Sequence, residues 1–417
     1  MDLAQNVASV QRSFAGGGAS ATADPMVSAA WAGWWRDRQE ALEEAVRDLV
    51  EVNSFTENRA GGLEVGRRLA RWMAIPGVEG SSVASERFAD HRVFRTAGNP
   101  KLAPVALLGH LDTVFPPGVF EGYRVDGVLR RGPGVLDMKG GLVVVAFALR
   151  GLAEGFPGGL GALPPLRIVV VSDEEVGSPE GAGVIRSVIG DCAASLVLES
   201  GRAGDAIITR RKGTGAVTAL VHGKAAHAGN AHAEGKNAIW AMARWVDAVQ
   251  QLTDYDRGVT VNVGKVSGGQ GKNTVPDRAE AQADIRYVTR HDGEALVARM
   301  REAAERAHAA VPGTRIELSG GVGREPLERT AASVALLEEY GRAARAAGLQ
   351  ASEAPLIGGG SDASTSGAMG IASIDGLGPR GKGFHTVEEH IEVETLVPKT
   401  EALARFLAGW RHPARGG

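Results

Sequence analysis

Short apolar runs of strand type alternate with helical stretches through residues 26–209, and run after run ends in glycine beside His, Asp or Glu. That alternation constrains the fold more than any other feature. It predicts an α/β sheet with helices on both faces. Residues 26 to 52 carry Trp31, Trp34, Trp35, Leu42, Ala45, Val46 and Leu49 at roughly helical spacing, which predicts one helix ended by Asn53-Ser54. A second helix is predicted over 61–74 and a buried one over 140–152, where the chain is apolar almost all round. Strands are expected at 105–108, 166–171 and 196–198.

The rhythm changes near residue 210. Strands at 214–221, 258–266, 279–288 and 314–318, with helices at 235–252 and 292–310, give the order β-α-β-β-α-β of a small ferredoxin-like domain. After Gly320 the longer rhythm resumes, with a helix at 331–347. The second domain therefore reads as an insertion between two halves of the first. The expected division is a weakly ordered leader at 1–25, a first domain at 26–209 and 320–417, and the inserted domain at 210–319.

Composition narrows the function. The chain has 417 residues, a hydrophobic share of 44% and a formal net charge of −3, so it should fold, and it lacks the basic excess that nucleic acid or an anionic membrane would call for. The longest apolar run, Leu142 to Leu149, is far short of the ~18 residues of a spanning helix. No positive start with an apolar stretch opens the sequence, so a cytoplasmic location is expected. The lone Cys192 excludes a disulfide within the chain and a cysteine-based zinc site, leaving His and carboxylates to hold any metal.

Five segments place such residues where open α/β sheets bind ligands, beyond the carboxyl ends of strands. In VALLGHLDTVFPPG, His110 and Asp112 stand two apart and point to one side of an extended chain. A carboxylate there can fix the tautomer of a metal-binding His. In RGPGVLDMKGG, Asp137 lies between glycine-bearing turns, with Gly132 and Gly134 before it and Pro133 stiffening the turn. In RIVVVSDEEVGSPEG, Asp173, Glu174 and Glu175 are consecutive. Unpaired, they would raise one another's pKa; a cation removes that penalty. Neighbouring glutamates point different ways, so one can bind metal while the other moves a proton. Glu199 ends SLVLES, and His385 sits in GKGFHTVEEHIEV. Singly, these residues equally fit a solvated loop, a helix N-cap or a charged turn. Jointly, two His and three acids without thiolate suit zinc, cobalt or manganese. One Asp shared by two ions about 3.5–4 Å apart is the two-metal hydrolytic arrangement.

With GHLDTV, GVLDMKGG and SDEEVGS in this order, the chain resembles the dinuclear zinc aminoacylase and carboxypeptidase family over about residues 40–410. That group includes glutamate carboxypeptidase, acetylornithine deacetylase and succinyl-diaminopimelate desuccinylase. The resemblance implies a zinc-peptidase-like doubly wound sheet with an inserted ferredoxin-like lid and dimerisation domain. It implies His110, Asp137, Glu175, Glu199 and His385 as ligands of two zinc ions, with cobalt or manganese as alternatives, and Asp137 as the bridge. Glu174 becomes the general base and acid, acting on a zinc-bound hydroxide, and Asp112 the partner of His110. His227, in GKAAHAGNAHAEGKNAI, matches the lid histidine that reaches the neighbouring subunit's active site, which implies a functional homodimer. Asn273 and Arg324 match contacts to a substrate carboxylate, and the GGGSDAST loop, with Gly360 and Ser361, would bring backbone N–H groups to the substrate. HLDTVFPPG, RRKGTG and GGGSDAS look most like glutamate carboxypeptidase. The implied reaction is hydrolysis of an amide or dipeptide to release a free amino acid. The alternatives are an N-acetyl or N-succinyl amino acid deacylase, and a non-catalytic small-molecule binding protein.

Overall fold

A computed structural model describes residues 29–414, so the expected leader lies outside the described residues. The chain divides into two compact units: Met1–Thr209, Arg329–Pro355 and Ser361–Gly417, then Arg210–Glu328 with Leu356–Gly360.

The first unit is built on a six-stranded sheet in the order Glu79–Val83, His91–Thr96, Leu166–Val171, Val105–His110, Ala194–Val197, Ala372–Ile374. Its last four strands are parallel; the first two add an antiparallel edge, so the sheet is mixed. All six residues of Val105–His110 are buried, as a central parallel strand requires. The helices Gly140–Gly155, Ala331–Ala346 and Leu396–Gly409 pack on one another, and Gly181–Ile189 packs with Ala363–Ala368. The helix predicted over 26–52 is instead two, Ala29–Arg36 and Gln39–Val50, broken at Asp37-Arg38. The break follows Trp35, which is fully buried and donates its indole N–H to the Phe147 carbonyl at 3.0 Å. A small separate sheet, ordered Gly381–Lys382, His390–Glu392, Leu129–Arg131, Arg124–Asp126, pairs His390 with Arg131. It draws the loop after Arg131 and the loop after Lys382 together.

The second unit is a four-stranded antiparallel sheet in the order Thr260–Gly268, Arg278–Tyr287, Gly213–His222, Arg315–Val322. Two helices, Ala238–Gln250 and Arg290–Ala310, pack together beside it. Numbered along the chain, the strand order is 2-3-1-4, the ferredoxin-like arrangement. Val217, Ala219 and Val221 alternate inward with Ala283, Ala281 and Ala279 opposite, around a fully buried Trp245. The last strand runs to Val322 rather than ending at Leu318, which carries the unit boundary past residue 319 to Glu328.

Gly141, in the first turn of the buried helix, is a position where only glycine fits. A Cβ there would stand 2.0 Å from the Leu198 carbonyl oxygen. Gly141→Ala should lower stability by about 1–3 kcal/mol, the usual range for overpacking. Chemical denaturation reads this as an earlier first transition, and an unchanged transition would contradict the packing.

Candidate metal centre

Strand order sets out the site. Leu166–Val171, Val105–His110 and Ala194–Val197 are adjacent and parallel, with His110 opposite Val171 and Leu108 opposite Val197. The segments leaving them carry Glu175, His110 and Glu199, so these three stand in a row along the sheet edge. Asp137 comes from the turn before the buried helix. It is not a helix N-cap, since the helix begins at Gly140. Gly134, with φ +75°, supplies the left-handed residue this turn needs.

Two groups of donors result. His110, Asp137 and Glu199 form one; Asp137, Glu175 and His385 form the other. His110 Nε2 lies 3.3 Å from Asp137 Oδ1 and 3.5 Å from Glu199 Oε1. His385 Nε2 lies 3.3 Å from Asp137 Oδ2 and 3.0 Å from Glu175 Oε2. Asp137 thus turns one oxygen to each group. Donors held about 2.0–2.2 Å from a tetrahedral ion stand roughly 3.3–3.6 Å apart. Three of the four separations fall in that range, with His385 to Glu175 shorter at 3.0 Å, and the nitrogen and oxygen donors suit zinc and its neighbours.

The electrostatics call for positive charge. Burial opposes a charged His110, but its hydrogen bonds to Asp112, Asp137 and Glu199 outweigh burial and hold the ring well above 6.5. Hydrogen bonds to Asp137 and Glu175 lift His385 to about 10. Burial would raise Asp137, yet hydrogen bonds from His110 and His385 keep it well below the usual carboxylate range. Burial and the charge of Asp137 push Glu175 up to about 7 and Glu199 well above 4.5. Protons gather on this cluster because its carboxylates are close together, and cations relieve the same repulsion.

Asp112 does more than face His110. Its carbonyl oxygen lies 3.0 Å from His110 Nδ1 and its Oδ1 lies 3.4 Å away. Its carboxylate also accepts the backbone N–H groups of Glu174 and Glu175, each at 3.2 Å, and the Thr56 hydroxyl at 2.8 Å. One carboxylate therefore ties the His110 segment to the double-glutamate turn. Glu174 is 8% exposed and belongs to neither donor group.

In the second unit, His227 lies on the short strand Ala226–His227, paired with Thr274–Val275. That pairing sets Asn273 beside it, with the Asn273 carbonyl accepting from Ala228 N–H at 2.9 Å. His227 is exposed, and its Nδ1 accepts N–H groups from Gly229 and Asn230, both at 3.1 Å. The ring proton then sits on Nε2, which points its N–H outward as a donor. Arg324 and Gly360 are neighbours: a Cβ on Gly360 would stand 2.6 Å from Arg324 Cδ. Ser361 keeps its hydroxyl within its own loop. It is 1% exposed and donates to Asp375 Oδ2 at 2.6 Å, pinning its own loop.

Sequence reasoning missed Glu389. Fully buried, it accepts the N–H groups of Gly134, Leu136 and Asp137 at 2.9–3.0 Å. The available signal was parity: Ile391 and Val393 are buried, so Glu389 lies on the inward side of the same alternation. It also missed Asp362, whose Oδ1 accepts the Ser178 hydroxyl at 2.5 Å, just past the double-glutamate turn.

Residues 209–312 match the peptidase dimerisation domain of the M20 family. Carboxypeptidase G2 of Pseudomonas sp. (strain RS-16) is 26% identical over 377 residues, covering 89% of each chain. Succinyl-diaminopimelate desuccinylase of Gluconacetobacter diazotrophicus is 26% identical over 392 residues, covering 87% of this chain and 94% of that one. Among solved structures, aminopeptidase PepT of Bacillus cereus aligns with a TM-score of 0.74 at 24% identity, over 89% of this chain and 98% of that one. Bacillus subtilis YXEP, described as a dinuclear metal-binding M20 peptidase, aligns with a TM-score of 0.70 at 16% identity, over 89% and 98%. No helix among the described residues is long and apolar enough to cross a membrane. In fold, in relatives and in this dimerisation domain, the chain is similar to the M20 group of metallopeptidases and amidohydrolases.

Proposed function

We propose that the protein is a two-cation hydrolase that cleaves an amide or peptide bond and releases an amino acid with a free α-carboxylate. One observation carries this reading: two metal-capable donor groups meet at Asp137, which gives one oxygen to each. His110, Asp137 and Glu199 would hold the first ion, and Asp137, Glu175 and His385 the second, with zinc as the expected metal. Two such cations, when bound, supply Lewis acidity toward a carbonyl oxygen and a water acidic enough to lose its proton near neutral pH.

Glu174 does the proton work. It takes the proton of the attacking water on its carboxylate and passes it to the leaving amine nitrogen as the C–N bond breaks. Its backbone is anchored on Asp112. Its side chain is outside both donor groups. His227, with its proton on Nε2, is the donor for the developing oxyanion. Within a homodimer this role falls to the partner subunit's His227. Asn273 and Arg324 are the contacts for the substrate carboxylate, Arg offering a two-pronged guanidinium, and the loop of Gly360 and Ser361 offers backbone N–H groups to the substrate. The names of the relatives, carboxypeptidase G2 and succinyl-diaminopimelate desuccinylase, support a substrate that is an N-acyl amino acid or a dipeptide.

A panel of peptidyl, aroyl, N-acetyl and N-succinyl amino acids, assayed with zinc, cobalt and manganese, tests the substrate class. Chelation should abolish turnover and added metal restore it; hydrolysis indifferent to chelator would end the two-cation reading. Turnover of acetyl or succinyl substrates alone would move the enzyme to the deacylases. Glu174→Ala should keep its metal and lose roughly 10²–10⁴-fold in kcat, whereas near-normal turnover would remove Glu174 from the proton path. Glu174→Ala and His227→Ala, each nearly inactive alone, should recover activity when mixed into heterodimers. Absence of recovery in proven heterodimers would place both residues in one subunit's site.

A further inference from the structure

The turn that carries Asp137 is held by a side chain from the segment that carries His385. Glu389 Oε1 accepts the N–H groups of Leu136 at 2.9 Å and Asp137 at 3.0 Å, and its Oε2 accepts Gly134 N–H at 3.0 Å. Convergent backbone N–H groups of this kind form a concavity that binds an anion. Here a carboxyl group of the chain itself fills it, fully buried and 252 residues further along. Ion pairing is not its purpose, since the three bonds all go to backbone. Their common effect is to fix the orientation of the Asp137 peptide.

The two donor groups depend on this bond unequally. His110 and Glu199 leave neighbouring parallel strands of the central sheet, so their spacing is set by strand pairing. His385 has no such support. It sits at φ +62° in the connection between Gly381–Lys382 and His390–Glu392, with Gly383 at φ +80° just before it. Glu389 lies in that same connection. Its three bonds join the His385 loop to the Asp137 turn, alongside the pairing of His390 with Arg131. Resting on the two-cation reading, we infer that Glu389 is a positioning residue that sets the affinity of the second cation position, the one formed by Asp137, Glu175 and His385, and leaves the first largely unaffected.

Metal titration of the full-length protein decides this. Wild type should take up two zinc or cobalt ions. Glu389→Gln is near-isosteric, but its NH2 group must face a backbone N–H that the carboxylate accepted. It should bind one ion as wild type does and the other 10–100-fold more weakly, the usual cost of losing a partner behind a metal ligand. At limiting metal, kcat should fall with KM little changed, and excess metal should restore most of it. Glu388→Gln, at an exposed neighbour paired with Arg131, should behave as wild type. If Glu389→Gln is not folded by circular dichroism, the same titration on Glu389→Asp, which keeps the charge and withdraws its reach, takes its place. Selective weakening of one ion supports the inference. Both ions bound at wild-type affinity, or both weakened alike, overturns it. Wild-type protein that takes up no ion overturns the two-cation reading itself, whatever Glu389 does.

Discussion

Asp137, Glu175 and Glu199 meet in one largely buried cluster, and everything around them answers that concentration of negative charge. At an effective dielectric of 20, two unit charges 4 Å apart repel by about 4 kcal/mol. The chain meets part of this with His110 and His385, both lifted in pKa by the carboxylates they touch. It meets another part by leaving Glu175 and Glu199 reluctant to ionise. A pair of divalent cations would satisfy the same demand more fully, since each replaces several protons and is tied to no single donor. The charge cluster is thus stable only as a receptor for positive charge.

The scaffold keeps that cluster from relaxing. Carboxylates that repel will swing apart unless their backbones are held, and here they are held by strand register and by two further carboxylates. The parallel pairing of Val105–His110 with its two neighbours fixes where His110, Glu175 and Glu199 leave the sheet. Asp112 then joins the His110 segment to the Glu174-Glu175 turn, and Glu389 joins the Asp137 turn to the His385 loop. Both act mainly on backbone N–H groups. The result is an acidic site stiffened by two further acidic side chains that bond mainly to backbone amides.

Much of this could be read from the sequence because strand ends and glycine turns are local signals. The apolar run Leu166–Val171 coincides with its strand, and the order of strands and helices in 213–322 gave the ferredoxin-like unit before any coordinates. Elements without such signals were missed. Glu79–Val83 is exposed at all five positions, an edge strand with no buried face to betray it. Leu396–Gly409 carries Pro398 in its first turn, where proline is tolerated although it reads as a break. Glu389 was overlooked because its partner, the Gly134–Asp137 backbone, is set by tertiary folding, and no periodicity encodes that.

His227 illustrates a different economy. A catalytic donor must carry its proton on the outward nitrogen, and in many sites a buried carboxylate enforces this. Such a carboxylate would add negative charge to the residue proposed above as the oxyanion donor. Here two backbone N–H groups, from Gly229 and Asn230, occupy Nδ1 instead. They fix the proton on Nε2 without adding charge. The tautomer then follows from the turn His227–Asn230 alone, which suits the oxyanion role proposed for this residue.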